Sequence, residues 1–161
     1  MIRATQFIQN LYLTVLLYSL YTRRYFVVDK LVDRNEIIVA RGRDHPALFC
    51  DELQVPLHEF NWFQGQAPHE LLQHNINDSD QAVVEMECLY KVRYRQELNL
   101  GYIRVEGDQL VLRFENPQRA VTIGQTVVLY NGEECLGGGI IGSRGSSYFE
   151  MDKHLPEIIA H

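Results

Sequence analysis

The chain has 161 residues, 46% hydrophobic and 22% charged, with a formal net charge of −6. Such a composition excludes a disordered chain, and the length allows one ordinary domain or two small ones. An acidic chain gathers no nucleic acid by its overall field, so any binding to RNA has to come from a local basic face.

Residues 1–22 are an atypical N-terminal segment. Phe7–Tyr21 (FIQNLYLTVLLYSLY) is mostly apolar, is flanked by Arg3, Arg23 and Arg24, and precedes the first acidic residue, Asp29. The run is shorter than the roughly 20 apolar residues of a membrane span, and Gln9, Asn10, Thr14 and Ser19 interrupt it. No membrane span is expected. A buried helix or strand pair, a signal peptide without a convincing cleavage site, and an organelle transit peptide all remain open.

Residues 23–64 read as a small central β domain. Arg24–Asp29 (RYFVVD) and Glu36–Arg41 (EIIVAR) are short β-branched runs joined by the polar KLVDRN, a hairpin pattern. Gly42–Cys50 is a loop in which Pro46 keeps His45 out of helix and Asp44 holds the turn. Glu52–Phe63 is extended, with Pro56 at a bulge or an edge. Residues 65–79 are rich in turn formers and read as a linker, with one helical turn at His69–His74.

Residues 80–150 read as a β-barrel. From Val84 to Arg95 apolar and polar residues alternate, with Val84, Met86, Cys88, Tyr90, Val92 and Tyr94 on one face. Gly101–Val105 and Leu110–Phe114 flank EGDQ, a hairpin turn, and Asn131-Gly132 after Thr126–Tyr130 signals another. Several strands with short turns and little helix predict a mainly β fold: the small central domain, then a barrel of about six strands. Ser147–Met151 reads as one more strand, and residues 151–161 as a tail.

No catalytic constellation stands out. Cys50, Cys88 and Cys135 are widely spaced with no C-x-x-C, which argues against a disulfide framework and a zinc site and favours a reducing compartment. His58, His69 and His74 lack metal-ligand spacing, so no metal is expected. Trp62 with Phe60 and Phe63 suits interface core. Gly137-Gly138-Gly139 lacks the Lys-Ser/Thr of a phosphate loop and suits close approach of strands at a barrel corner.

The candidate binding residues are Lys91, Arg93, Tyr94, Arg95 and Gln96 in one place and Gly124-Gln125 in another. Three cations on one side of a strand repel each other, and phosphate oxygens would offset that. Between Leu89 and Arg119 six cations face four anions, against the chain's overall −6. The competing reading is a solvated strand paired with neighbouring carboxylates. Gly124 permits a positive-φ turn, and Gln125 offers a donor and an acceptor.

The ordered series RYFVVDK…NEIIVARGRDHPALF, NWF, KVRYRQ and ENPQRAVTIGQTVVLYNGEECLGGGII, from Arg24 to Ile141, resembles the central and C-terminal parts of the tRNA-specific 2-thiouridylases. In that family an N-terminal ATP-pyrophosphatase domain activates the wobble uridine and a cysteine persulfide delivers sulfur. The resemblance implies tRNA as partner, with Arg93–Gln96 and Gln125 touching it. It also implies that the S-G-G-x-D-S nucleotide loop and both catalytic cysteines lie upstream of anything in this sequence. On that basis the chain itself carries no catalytic residue and no cofactor, ATP belonging to the absent domain. A separate catalytic domain or a sulfur-donor protein would be a further partner. A mitochondrial location is expected, with a cytoplasmic one as the alternative. The competing function classes are a protein-interaction barrel and a non-functional truncated product.

Overall fold

The computed structural model describes residues 2–5, 24–72 and 85–156. The Phe7–Tyr21 run lies outside them. The chain forms two compact units, residues 50–146 and a smaller unit that combines residues 1–49 with 147–161.

The smaller unit holds a three-stranded antiparallel sheet in the order β1-β3-β2, with β1 at Ile2–Thr5, β2 at Tyr25–Leu31 and β3 at Glu36–Arg41. The β2–β3 hairpin pairs Tyr25 with Arg41 and Leu31 with Glu36, and a register shift between Val27 and Asp29 marks a bulge. A 3-10 turn at Val32–Arg34 closes it, and Asn35 takes the left-handed conformation (φ 51°), which asparagine tolerates better than most residues. His45 is extended, as Pro46 requires. The turn that follows is held by His45 rather than by Asp44. The His45 Nδ1 accepts the Ala47 N–H at 3.1 Å, while Asp44 sits 3.4 Å from Arg43 on the surface. Burial lowers the His45 pKa, which favours the neutral ring that this acceptor role needs.

The C-terminal residues complete this unit. Ser147–Met151 does not form the expected strand. Ser147 and Glu150 make a capping box: the Ser147 Oγ accepts the Glu150 N–H at 3.2 Å and the Glu150 carboxylate accepts the Ser147 N–H at 2.6 Å. One helical turn follows, with Met151 N–H on the Ser147 carbonyl, and ends with Lys153 N–H on the Tyr148 carbonyl past a left-handed Asp152, the pattern of a Schellman stop. The turn buries Tyr148 with Ala40, Leu48 and Phe49, and Phe26, Val28, Met151 and Leu155 flank that core.

The larger unit is one antiparallel sheet in the order β11-β4-β8-β7-β6-β9-β10-β5. Its strands are β4 (Phe49–Pro56), β5 (Asn61–Trp62), β6 (Met86–Lys91), β7 (Asn99–Glu106), β8 (Gln109–Arg119), β9 (Thr126–Asn131), β10 (Glu134–Ile140) and β11 (Ser143–Arg144), and a short helix α1 covers His69–Leu72. The two ends of that order are the same two segments. β5 continues β4 after a 3-10 turn, β11 continues β10, and they pair as Arg144 with Leu53, Ser143 with Gln54, Gly138 with Asn61 and Gly137 with Trp62. Counting each bent segment once gives a closed ring of six strands. Closure removes the sheet edges that would otherwise lie open. Glu52–Phe63 is therefore barrel wall, although its sequence reads with the domain before it.

The seam requires glycine. A Cβ on Gly137 would lie 2.3 Å from the Asn61 carbonyl oxygen, and one on Gly139 would lie 2.7 Å from Val55. The triple glycine is thus a place of close strand approach. Inside the ring Leu53, Val55, Phe60, Cys88, Tyr90, Ile103, Leu112, Phe114, Val127, Leu129 and Ile141 form one buried cluster. The hairpins β7–β8 and β9–β10 turn at Gly107-Asp108 and Gly132-Glu133, each glycine at φ 59°, the Gly-X form whose twist matches the strands. The second turn therefore sits one residue beyond Asn131-Gly132.

Candidate nucleic-acid interface

Antiparallel pairing brings the C-terminal ends of β6, β8 and β10 and the start of β9 to one end of the barrel. All the candidate binding residues fall there. Lys91 is the last residue of β6, opposite Val128 of β9. The strand stops at that point, so Arg93 and Arg95 do not share a strand face with Lys91, and Tyr94 does not point inward. Inward alternation holds for Cys88, Tyr90 and Val92, which are buried, whereas Tyr94 is 97% exposed.

The stop has a local cause. The Gln96 Oε1 accepts the Val92 N–H at 3.1 Å, in place of a ladder partner, and the Gln96 N–H donates to the Arg93 carbonyl at 3.1 Å. Arg93–Gln96 is therefore a tight turn. It is fastened to the end of β8 in two places. The Gln96 Nε2 donates to the Gln118 Oε1 at 2.8 Å, and the Arg93 Nη2 donates to the carbonyls of Arg119 and, at 2.9 Å, Ala120.

Gly124 and Gln125 lie in a second turn of the same kind. The Gln125 N–H donates to the Thr122 carbonyl at 3.2 Å, and Gly124 has φ +86°, a conformation that favours glycine at that place in the turn. Gly124 N–H to Ile141 carbonyl (2.9 Å) and Ile141 N–H to Gln125 carbonyl (2.8 Å) tie this turn to the end of β10. The Thr122 hydroxyl donates at 3.1 Å to the Ala120 carbonyl that Arg93 also uses. The two sequence motifs, about 30 residues apart, thus share one acceptor. Ala120 itself has φ +54°, a strained value for a residue with a Cβ and one that tends to occur at functional sites.

The charge count along the sequence divides in space. Arg104, 14% exposed at its side chain, contacts Glu52 (3.2 Å), Glu85 (3.1 Å) and Glu106 (2.6 Å). Arg113 makes a bidentate pair with Glu85 and stacks on the Tyr102 ring at 4.4 Å. The Arg113 hydrogen bond holds the Glu85 pKa below the ordinary carboxylate value. These two guanidinium groups are internal braces. Lys91, Arg93, Arg95 and Arg119 remain at the barrel end. Burial, and then the charge of Arg119, lower the Arg93 pKa, so two cations crowd each other there; arginine stays charged at neutral pH regardless. The Arg93 Nη2 meets carbonyls and no carboxylate, which leaves its positive charge unbalanced locally.

Sequence reasoning singled out the two glutamines and the basic run but missed Gln118, Ala120 and Thr122, which join them. The signal was present as the polar pairs Gln118-Arg119 and Thr122 ahead of Gly124. No other site competes. Burial pushes the Cys50 thiol up to about 11 and the Cys88 thiol to about 12, so neither is a thiolate at neutral pH. No cluster of metal-ligating side chains occurs among the described residues.

Residues 54–141 match the family described as the aminomethyltransferase beta-barrel domain. The chain is 38% identical over 133 residues to the tRNA-specific 2-thiouridylase MnmA of Protochlamydia amoebophila, covering 82% of this chain and 31% of that protein. It is 41% identical over 123 residues to the MnmA of Tolumonas auensis (76% and 29%) and 38% over 119 residues to that of Hahella chejuensis (74% and 28%). The chain thus spans under a third of the length of these relatives.

Proposed function

Because the chain belongs to the tRNA-specific 2-thiouridylase family, in its β-barrel region, we propose that it is a tRNA-binding accessory region of a wobble-uridine thiolating enzyme. The observation that carries this reading is the joined pair of turns: two motifs distant in sequence meet at one barrel end, with Arg93, Arg95, Arg119 and Lys91 around them. Phosphates are the fitting partners for guanidinium groups with no carboxylate opposite. Arg93 and Arg95 neutralise phosphate oxygens, and Gln125 hydrogen-bonds sugar, phosphate or a base edge.

The chemistry is supplied by residues this chain does not contain. Two of its three cysteines are buried neutral thiols, unsuited to carrying a persulfide. The pure chain, incubated with tRNA, ATP and a persulfide donor, retains tRNA on a filter and forms no 2-thiouridine. Failure to retain tRNA contradicts the binding role, and appearance of 2-thiouridine contradicts the division of labour.

A further inference from the structure

The two turns share a geometry that charge does not explain. Each closes through an N–H of its fourth residue on the carbonyl of its first, Gln96 on Arg93 and Gln125 on Thr122. Each therefore presents its second residue at the tip. Those residues are Tyr94 and Ile123, and they are 97% and 61% exposed. Neither turn is loose: the Gln96 side chain is used at both ends and the second turn is bonded to Ile141 in both directions. The two are joined through the Ala120 carbonyl. The result is a pair of apolar tips on braced loops, set among guanidinium groups.

We infer that Tyr94 and Ile123 receive unpaired nucleobases, so that this end of the barrel takes looped or single-stranded RNA in preference to duplex. The inference rests on the RNA-binding reading above and adds the class of nucleotide. A paired helix hides its base faces and offers only phosphates and a shallow groove, for which an exposed aromatic ring and an isoleucine have no use. An unstacked base has two apolar faces that stack on a ring or an aliphatic branch, while its phosphate lies within reach of a flanking arginine. The arrangement Arg93-Tyr94-Arg95 supplies both contacts from one turn, and the braces hold the tip in place before the ligand arrives.

The test uses the full chain with two labelled probes, a stem-loop RNA and the same stem closed as a blunt duplex. The stem-loop binds more tightly. Tyr94→Ala lowers stem-loop affinity about tenfold or more, Ile123→Ala lowers it less, and both leave duplex affinity unchanged. Tyr94→Trp restores tight binding, and because the three variants change exposed positions, circular dichroism stays that of the parent. If stem-loop and duplex bind alike and both alanine variants are silent, the tips serve another purpose, such as a protein contact. The inference then fails while RNA binding stands. If neither RNA binds, both fall.

Discussion

Gly137→Ala destabilises the barrel by about 3 kcal/mol or more, the range in which backbone strain and steric overlap act together. The added Cβ would meet the Asn61 carbonyl oxygen at 2.3 Å and the Phe60 ring at 2.9 Å. These are groups of the opposing segment, so relief means parting β10 from β5, and that pairing closes the ring. The backbone at φ +149° also disfavours a side chain. Gly132→Ala is the control, since its glycine has φ +59° with nothing within 4 Å of a Cβ and costs only about 1–2 kcal/mol of backbone strain. Urea unfolding followed by circular dichroism separates the two. Equal midpoints for the Gly137 and Gly132 variants would show that the barrel is not closed at this seam.

Tyr148→Ala unfolds the smaller unit selectively. The ring, 8% exposed, fills the core made by Ala40, Leu48 and Phe49, and the substitution costs about 3–5 kcal/mol, as for other large aromatic residues cut to alanine. In a unit with so small a core that is a large share of its stability. Hydrogen exchange of β2 and β3 amides rises to that of an unfolded chain, while amides of β7 and β8 keep their protection. Unchanged exchange in β2–β3 would mean that the C-terminal turn is an ornament of that unit and not part of its core.

Much of the barrel was legible because its signals are local. β3 is read to the residue from its β-branched run, and EGDQ and the glycine after Asn131 locate two hairpins. The triple glycine is correctly read as a strand contact because no helix and no lysine follow it. The errors come from side chains that reach across the chain. Period-2 alternation continues through Tyr94 in the sequence, yet the strand stops at Lys91 because Gln96 folds back onto Val92. A charge count assigns Arg104 and Arg113 to a basic face, yet Glu52 and Glu85, distant in sequence, neutralise them. The S-x-x-E box at Ser147 was readable and was passed over in favour of strand propensity. Barrel closure by Glu52–Phe63 could not be read locally, since it depends on which distant segment pairs with β10.

The candidate site was legible in outline only. Its basic turn and its Gly-Gln turn were each visible, and the resemblance to thiouridylases gave them a common partner. Their junction at Ala120 was not, because a carbonyl shared by an arginine and a threonine leaves no pattern in the residues that share it. That junction makes two weak motifs into one surface.

The most direct test of the account is the affinity of the pure chain for tRNA measured across a range of salt, beside Arg95→Ala. The account predicts that the logarithm of affinity falls linearly with the logarithm of salt, and that the slope becomes shallower by roughly one for the variant. Absence of binding at low salt, or binding indifferent to salt and to Arg95, would contradict it.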